Sequence, residues 1–450
     1  MHPKWFALVL LCTSPALAQE RTAMEKVLER LERLEEQNRQ MLEEIRLLRQ
    51  QLAPPAPSAE AATPAPQAAP VAERLDVQER RVEELEQSKV TAEQRLPVTL
   101  TGTVVFNAFL NGKFSGEPMN PTTATLAPGA ASGGATMRQT MLGLRFRGPE
   151  IPGGGRVSGS LFLDLFAGTG TSLNQLMRLR VATLDMAWKK TTLSFSQDKP
   201  IIAPREPDSL AQVGVSPLTG AGNLWLWQPQ VRVEQRFFFS ENTGLRAQVG
   251  VYQTAEAGNG VPSEYAGTVQ RSRPGLEGRF EFWGQRGARR FEIAPGFHAS
   301  QTHVIGQSLP SRIYTVDWLV RPFSRVDVTG QFFQGENTGV VGGLRQGISF
   351  HDEYGGYEAY AVRSLGGWLQ LRFRATERLS FHIYGGQEDP RNSDLRPLSI
   401  AKNQAYAANV MYRLWSNFLA SFEVSQVRTT YLGAGTRRNP HYDLALAYLF

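Results

Sequence analysis

Histidine and serine side chains are the first candidates for covalent chemistry in this chain of 450 residues. His298 with Ser300, and His382 with Ser380, stand two positions apart, so each pair shares one face of a β-strand. A histidine that accepts the proton of a serine hydroxyl is the arrangement of a nucleophilic hydrolase. Neither pair lies in a hydrolase motif, and a polar strand face explains both. The sequence therefore predicts no catalytic residues, and an enzyme is the less favoured alternative.

The start of the chain indicates export. Lys4, an apolar run and the small residues around Ala18 are typical of a secretory signal peptide over residues 1–18. The single cysteine, Cys12, lies within that segment, so the mature chain would hold neither a disulfide nor a thiolate metal site. The glycine groups at 168–170 and 342–343 precede no strand-to-helix unit that would cradle a phosphate. We expect no metal, no cofactor and no nucleic-acid partner.

Heptad spacing dominates the next segment. Apolar residues recur at the a and d positions over 19–52, which predicts a coiled coil, and Asn38 occupies an a position, where a buried amide fixes register and oligomeric state. Residues 53–70 are mostly Ala and Pro and predict an extended linker. A second short coiled-coil segment over 71–96 ends before Pro97. The pattern predicts an α-helical stalk.

After Pro97 the apolar period changes to two. Residues 442–450 alternate apolar and smaller residues, and the chain ends on aromatic Tyr448 and Phe450, which resemble the assembly signal of outer-membrane barrels. No later run of eighteen apolar residues could form a transmembrane helix. Residues 97–450 are therefore predicted to form an all-β transmembrane β-barrel.

Sixteen stretches alternate in this way. Short connections follow the even-numbered strands, whereas the long connections 111–135, 199–228, 255–274 and 335–363 follow odd-numbered ones, as expected for periplasmic turns opposite outer loops. The predicted strands are 98–110, 136–147, 156–166, 176–188, 191–198, 229–239, 244–254, 275–283, 290–301, 311–321, 325–334, 364–374, 378–387, 402–413, 417–428 and the terminal stretch.

The strand at 176–188 changes its alternation part-way along. Met177 and Leu179 share one parity, but Leu184 and Met186 share the other. We predict a β-bulge near Ala182-Thr183, because the extra residue of a bulge restores the facing of the rest of the strand.

The inward positions carry both charges, and arginines in a pore wall are one way to favour anions. The 199–228 loop is predicted to fold into the lumen, with Arg205 joining Arg178, Arg180 and Arg232 at the narrowest section. Cross-strand ion pairs that brace the wall are the alternative for each arginine. The predicted pore-lining residues are Arg145, Arg178, Arg180, Arg205, Arg232, Arg279, Arg372, Asp164, Glu206 and Asp208.

Two hairpins carry a family resemblance. The segment Met141-Leu-Gly-Leu-Arg-Phe-Arg-Gly-Pro and the strand 157–164 resemble an early hairpin, and Gly366-Gly-Trp-Leu-Gln-Leu with Asp389-Pro390 resembles a late hairpin, of trimeric porins with an N-terminal coiled coil. These belong to the dicarboxylate- and phosphate-selective group. The resemblance implies a homotrimer of sixteen-stranded barrels and small anionic substrates.

The sequence thus predicts an outer-membrane porin with its stalk in the periplasm. The expected partners are outer-membrane lipid, small anionic solutes, two further copies of the chain and, for the stalk, peptidoglycan. A structural protein that tethers the membrane to the cell wall is the alternative reading, since the stalk would serve that role equally well.

Overall fold

The computed structural model describes residues 97–116, 119–167, 176–211, 214–254, 274–353 and 356–450. The predicted signal peptide, both coiled-coil segments, the linker and Asn38 lie outside the described residues. Within these ranges, no helix combines the length and the apolar character needed to cross a bilayer.

Nineteen strands form the described part of the chain, seventeen of them in one sheet. The first ten are β1 (Val98–Asn111), β2 (Ser132–Thr136), β3 (Met141–Ile151), β4 (Gly155–Ala167), β5 (Leu176–Ala187), β6 (Thr191–Asp198), β7 (Gln228–Ser240), β8 (Thr243–Tyr252), β9 (Gly275–Arg286) and β10 (Arg289–Val304). The rest are β11 (Gln307–Phe323), β12 (Val326–Glu336), β13 (Ile348–Glu353), β14 (Gly356–Ala361), β15 (Arg363–Arg374), β16 (Leu379–Pro390), β17 (Ile400–Trp415), β18 (Phe418–Tyr431) and β19 (Gly435–Leu449).

The large sheet closes on itself, since β1 pairs antiparallel with β19 from Thr103 opposite Leu449 to Asn111 opposite His441. The short β2 pairs with β1 from Asn107 to Asn111, and β3 pairs with β1 from Val98 to Thr103. Together, β2 and β3 therefore form one interrupted strand of the wall. The predicted sixteen-stranded antiparallel barrel is confirmed. Closure leaves no edge, which a sheet in hydrocarbon requires because each unpaired backbone group there costs several kcal/mol.

Alternation along each strand separates two surfaces. On β9, Leu276, Phe280 and Phe282 are exposed on the outside, whereas Glu277 and Arg279 are wholly buried on the inside. This apolar outer face and polar inner face is the pattern of a barrel that meets lipid. The charged residues predicted to face inward on β9 do so.

A bulge in β5 lies at a different position from the predicted one. The register with β4 shifts where Phe162 pairs with Val181 but Leu163 pairs with Leu179, so the extra residue is Arg180 rather than Ala182 or Thr183. The physical reason is Asp164, which holds Arg178 at 2.6 Å and Arg180 at 3.7 Å. With the bulge at Arg180, both arginines and Asp185 face inward.

The outer loops pack against the wall. In the 335–363 connection, β13 and β14 form a separate hairpin whose Ile348, Phe350 and Ala359 are buried against Val304 and Leu309. The same connection contains a 3-10 turn, Thr338–Val341, which packs near the end of the 199–228 loop. The outer end of the barrel is thereby narrowed from two sides.

Candidate functional site

The described residues of the connection between β6 and β7, 199–211 and 214–227, lie inside the barrel and are here called the inner loop. Its backbone makes contacts around the whole wall: the Ile201 N–H donates to Glu277 of β9 at 2.7 Å, and the Leu210 carbonyl accepts from Asn107 of β1 at 2.7 Å. The Gly214 carbonyl then accepts a hydrogen bond from Arg178 of β5. The inner loop therefore folds into the lumen and contacts the wall on several sides.

Arg205 anchors the inner loop to three carboxylates. Its Nε lies 2.7 Å from Asp317, its Nη2 lies 3.2 Å from Glu281, and it also binds Glu292. Arg279 binds Asp317 and Glu281 from the wall side, each at 2.7 Å. A buried charge is tolerated only when it is paired and hydrogen-bonded, and this network meets that condition.

A second network centres on Asp327 of β12. Arg321, Arg372 and Arg374 all bind this carboxylate, with Arg321 Nε at 2.6 Å and Arg374 Nη1 at 3.0 Å. Arg372 also reaches Asp208 of the inner loop at 3.3 Å. Three guanidinium groups share one wall carboxylate here, so this network carries net positive charge.

The β4–β5 side holds the third network. Asp164 binds Arg178 and Arg180, and the Arg180 guanidinium lies 4.4 Å from the ring centre of Trp227, a cation–π contact. Glu206 of the inner loop lies nearby, bound to Lys199 at 2.7 Å and to Ser216.

The electrostatics of Glu206 follow from these partners. Burial raises the pKa of its carboxyl, but the Lys199 ammonium and the Ser216 hydroxyl lower it by more, so that the pKa lies below the ordinary value. Glu206 therefore carries a negative charge at neutral pH.

The structure places the remaining predicted residues as follows. Arg279 is wholly buried within the Arg205 network, Arg145 lies 5.6 Å from the Phe162 ring, and Arg232 faces inward on β7 beside Ser194 of β6. Arg205 binds the β9–β11 wall, whereas Arg178 and Arg180 bind Asp164. Arg205 and the pair Arg178/Arg180 are thus held by carboxylates on different parts of the wall.

Exposure differs between the two charges in these three networks. Asp164, Asp317 and Asp327 have side chains at most 1% exposed, and Glu281 and Glu292 at most 5%. Their arginine partners that reach the lumen are between 15% and 31% exposed: Arg178, Arg180, Arg205, Arg246, Arg321, Arg372 and Arg374. The wall carboxylates lie behind the guanidinium groups, whereas the inner-loop carboxylates Asp208 and Glu206 are 41% and 33% exposed. The wall side of these networks therefore presents mostly positive charge to water.

The wall formed by β17, β18, β19 and β1 differs. Here Glu423 accepts hydrogen bonds from Asn409, Tyr384 and Ser209, and Asp443 accepts one from Asn107. Amide and hydroxyl groups thus take the place that guanidinium groups occupy elsewhere. We call this wall the amide sector, and the inward faces of β8–β12 and β15 the arginine sector.

The serine and histidine pairs do form hydrogen bonds. Ser300 Oγ lies 2.9 Å from His298 Nε2, whose Nδ1 lies 3.0 Å from Glu277, and Ser380 lies 2.9 Å from His382. A further pair, Ser349 and His351, shows the same contact at 3.1 Å. Its recurrence at three sites with the same spacing indicates a consequence of strand geometry, because residues i and i+2 share a face.

Some residues of the lumen escaped sequence reasoning. Arg321 shares the inward parity of Thr315 and Asp317 on β11 and binds Asp327, and Lys199 pairs with Glu206 within the inner loop. In the sequence, Trp227 could be recognised only as part of an apolar run. No group of three or more His, Cys, Asp or Glu is arranged to hold a metal in the described ranges.

The terminal aromatic residues lie at the seam of the barrel. Tyr448 is exposed on the outside and pairs with Val104, and Phe450 exchanges backbone hydrogen bonds with Gly102 at 2.9 and 3.1 Å. The chain end thus completes the pairing that closes the sheet.

Comparison with solved structures shows the fold. The outer membrane channel DcaP of Acinetobacter baumannii superposes with a TM-score of 0.62 at 14% identity, covering 78% of this chain and 97% of that one. The anion-selective porin from Comamonas acidovorans gives a TM-score of 0.53 at 13% identity, covering 78% and 99%. No family model matches the sequence, and no curated protein matches it. The described chain has the fold of the outer-membrane porins.

Proposed function

We propose that this protein is an outer-membrane porin through which small hydrophilic solutes diffuse passively, with a preference for anions such as dicarboxylates. The observation that carries the proposal is the unequal exposure of charge in the lumen. Along the wall, partly exposed guanidinium groups stand in front of buried carboxylates, and these arginines outnumber the exposed carboxylates Asp208 and Glu206 of the inner loop. Such a lining attracts anions.

Dicarboxylates are the class of anion that we propose. A guanidinium group binds a carboxylate through two parallel hydrogen bonds, and the lumen offers such groups both on β5 and on β15. A solute with two carboxylates can engage one group while approaching another. The Comamonas protein that shares this fold is an anion-selective porin, which is consistent with the proposed preference.

The proposal includes the assembly and the location. The barrel would lie in the outer membrane as one subunit of a homotrimer, with residues 19–96 as a coiled-coil stalk in the periplasm and peptidoglycan as a candidate partner of that stalk. The polar lumen serves conduction rather than catalysis, so the protein is proposed not to be an enzyme.

Reversal potential in a KCl gradient tests the selectivity. We expect the purified full-length protein in a planar bilayer to conduct in steps of three and to favour chloride over potassium. The double variant Arg178→Gln/Arg180→Gln should shift the reversal potential toward zero, because it removes two exposed cations.

The matched control is Arg428→Gln/Arg438→Gln, which removes two arginines that are cross-strand neighbours on the outer face. Its reversal potential should stay near that of the unmodified protein. Equal shifts in both variants would contradict a filter inside the lumen, and a folded barrel without conductance would contradict the porin itself.

A further inference from the structure

A row of charged residues crosses the outside of the barrel at its outer end. Arg312 of β11 lies beside Glu336 of β12, with 3.8 Å between Nε and Oε1, and Glu336 pairs in register with Arg363 of β15. Arg391, which follows β16, donates its backbone N–H to the Arg363 carbonyl at 2.8 Å. Four adjacent wall segments thus contribute three arginines and one carboxylate to one level.

Apolar side chains lie directly beneath this row. Tyr314 is 67% exposed and Leu365 is 40% exposed, and Val316 and Phe332 continue the same outer face toward the middle of the barrel. Since these side chains face away from the lumen, they meet the hydrocarbon of a membrane. The change from Tyr314 to Arg312 marks the level at which the apolar belt ends.

The row of charged residues and the apolar side chains beneath it line one concave site. A cavity of about 680 Å³ is lined by Arg312, Glu336, Arg363 and Arg391 from the charged row, and by Tyr314 and Leu365 from the apolar row. Gln334 and Asn392 also line it, and their amides can bond hydroxyl groups. The site therefore offers cations, amides and an apolar floor to a single ligand.

The three arginines of the charged row differ in how closely an acidic side chain pairs with them. Asp394 holds the Arg363 guanidinium at 2.6 and 2.8 Å, so the charge of Arg363 is largely matched. The Arg312 side chain is 66% exposed, and Arg391 is exposed as well. These two arginines are thus the ones available to an anionic group.

We propose that this cavity binds the headgroup of a phosphorylated glycolipid in the outer leaflet. Arg312 and Arg391 bind its phosphate, the amides bond its sugar hydroxyls, and its chains lie over Tyr314, Leu365 and the apolar belt below. The inference rests on one part of the proposed function, that the barrel lies in an outer membrane. It is independent of solute selectivity.

Native mass spectrometry of the full-length protein in detergent tests the site, with bisphosphorylated lipid A as the probe. We expect Arg312→Gln/Arg391→Gln to weaken binding roughly tenfold, because each lost bond to a charged group costs a large part of that factor. Arg286→Gln/Arg289→Gln removes a cross-strand pair at the opposite end of the barrel and should change binding less than about twofold.

Four results would overturn the proposal. Equal binding of lipid A without phosphates would show an apolar surface alone, and displacement of the lipid by millimolar inorganic phosphate would show a site for the free ion. Equal weakening in both double variants would show a general effect of charge. A protein that conducts but binds no lipid A would end this inference while leaving the porin proposal in place.

Discussion

The arginine sector and the amide sector of the lumen stabilise buried carboxylates in different ways. Both contain carboxylates that are almost wholly buried, such as Asp317 in the first and Glu423 in the second. In the arginine sector guanidinium groups neutralise these carboxylates and present their own charge to water, whereas in the amide sector Asn409 and Tyr384 satisfy Glu423 without adding charge. We expect this difference to produce an electric field across the lumen that would orient a permeating solute.

The largest effect should come from removing a buried cation of the arginine sector. We expect Arg279→Met to lower the free energy of unfolding by about 3–5 kcal/mol, because it leaves Asp317 and Glu281 short of a buried partner. Urea unfolding in detergent, followed by the mobility of the folded barrel on gels, measures the change. Asn409→Ala in the amide sector should cost only about 1–3 kcal/mol. Equal losses would mean that the two sectors do not differ in how they hold buried charge.

A smaller effect is expected on ion selectivity when charges are removed from the arginine sector or from the amide sector. Arg372→Gln/Arg374→Gln removes two exposed cations yet leaves Arg321 to neutralise Asp327, so the barrel should fold and its anion preference should fall. Glu423→Gln/Asp443→Asn in the amide sector should shift the reversal potential less, since both carboxylates are about 1% exposed. If the second pair gives an equal shift of opposite sign, buried charge acts on permeating ions as strongly as exposed charge.

The smallest effect concerns the inner loop. Glu206 has a pKa below its ordinary value, so it stays ionised as the pH falls from 7 to 5 and its negative charge opposes the arginines over that whole range. Glu206→Gln should therefore increase anion preference modestly, by a similar amount at pH 7 and pH 5. Reversal potentials at the two pH values measure this. An increase confined to pH 7 would show that the carboxyl takes up a proton within that range.

The strands of the barrel wall could be predicted from the sequence better than the ion pairs within the lumen. Strand alternation is a local property, so the sixteen strands and the inward facing of Arg178, Asp164 and Arg279 could be predicted from period two alone. Which carboxylate binds which arginine depends on contacts between strands far apart in sequence, as in the pairing of Arg205 with Asp317. The position of the bulge at Arg180 also depends on such pairing, and no local pattern encodes it.

The contacts that the inner loop makes around the wall bear on the order in which the barrel assembles. The loop contacts Glu277 on β9, Glu423 on β18 and Asn107 on β1, and the last of these strands forms the seam with β19. Because the loop bonds to strands on both sides of the seam, we expect its contacts to hold these strands near one another while the sheet closes. A failed loop contact would then slow closure before it affected any transported solute.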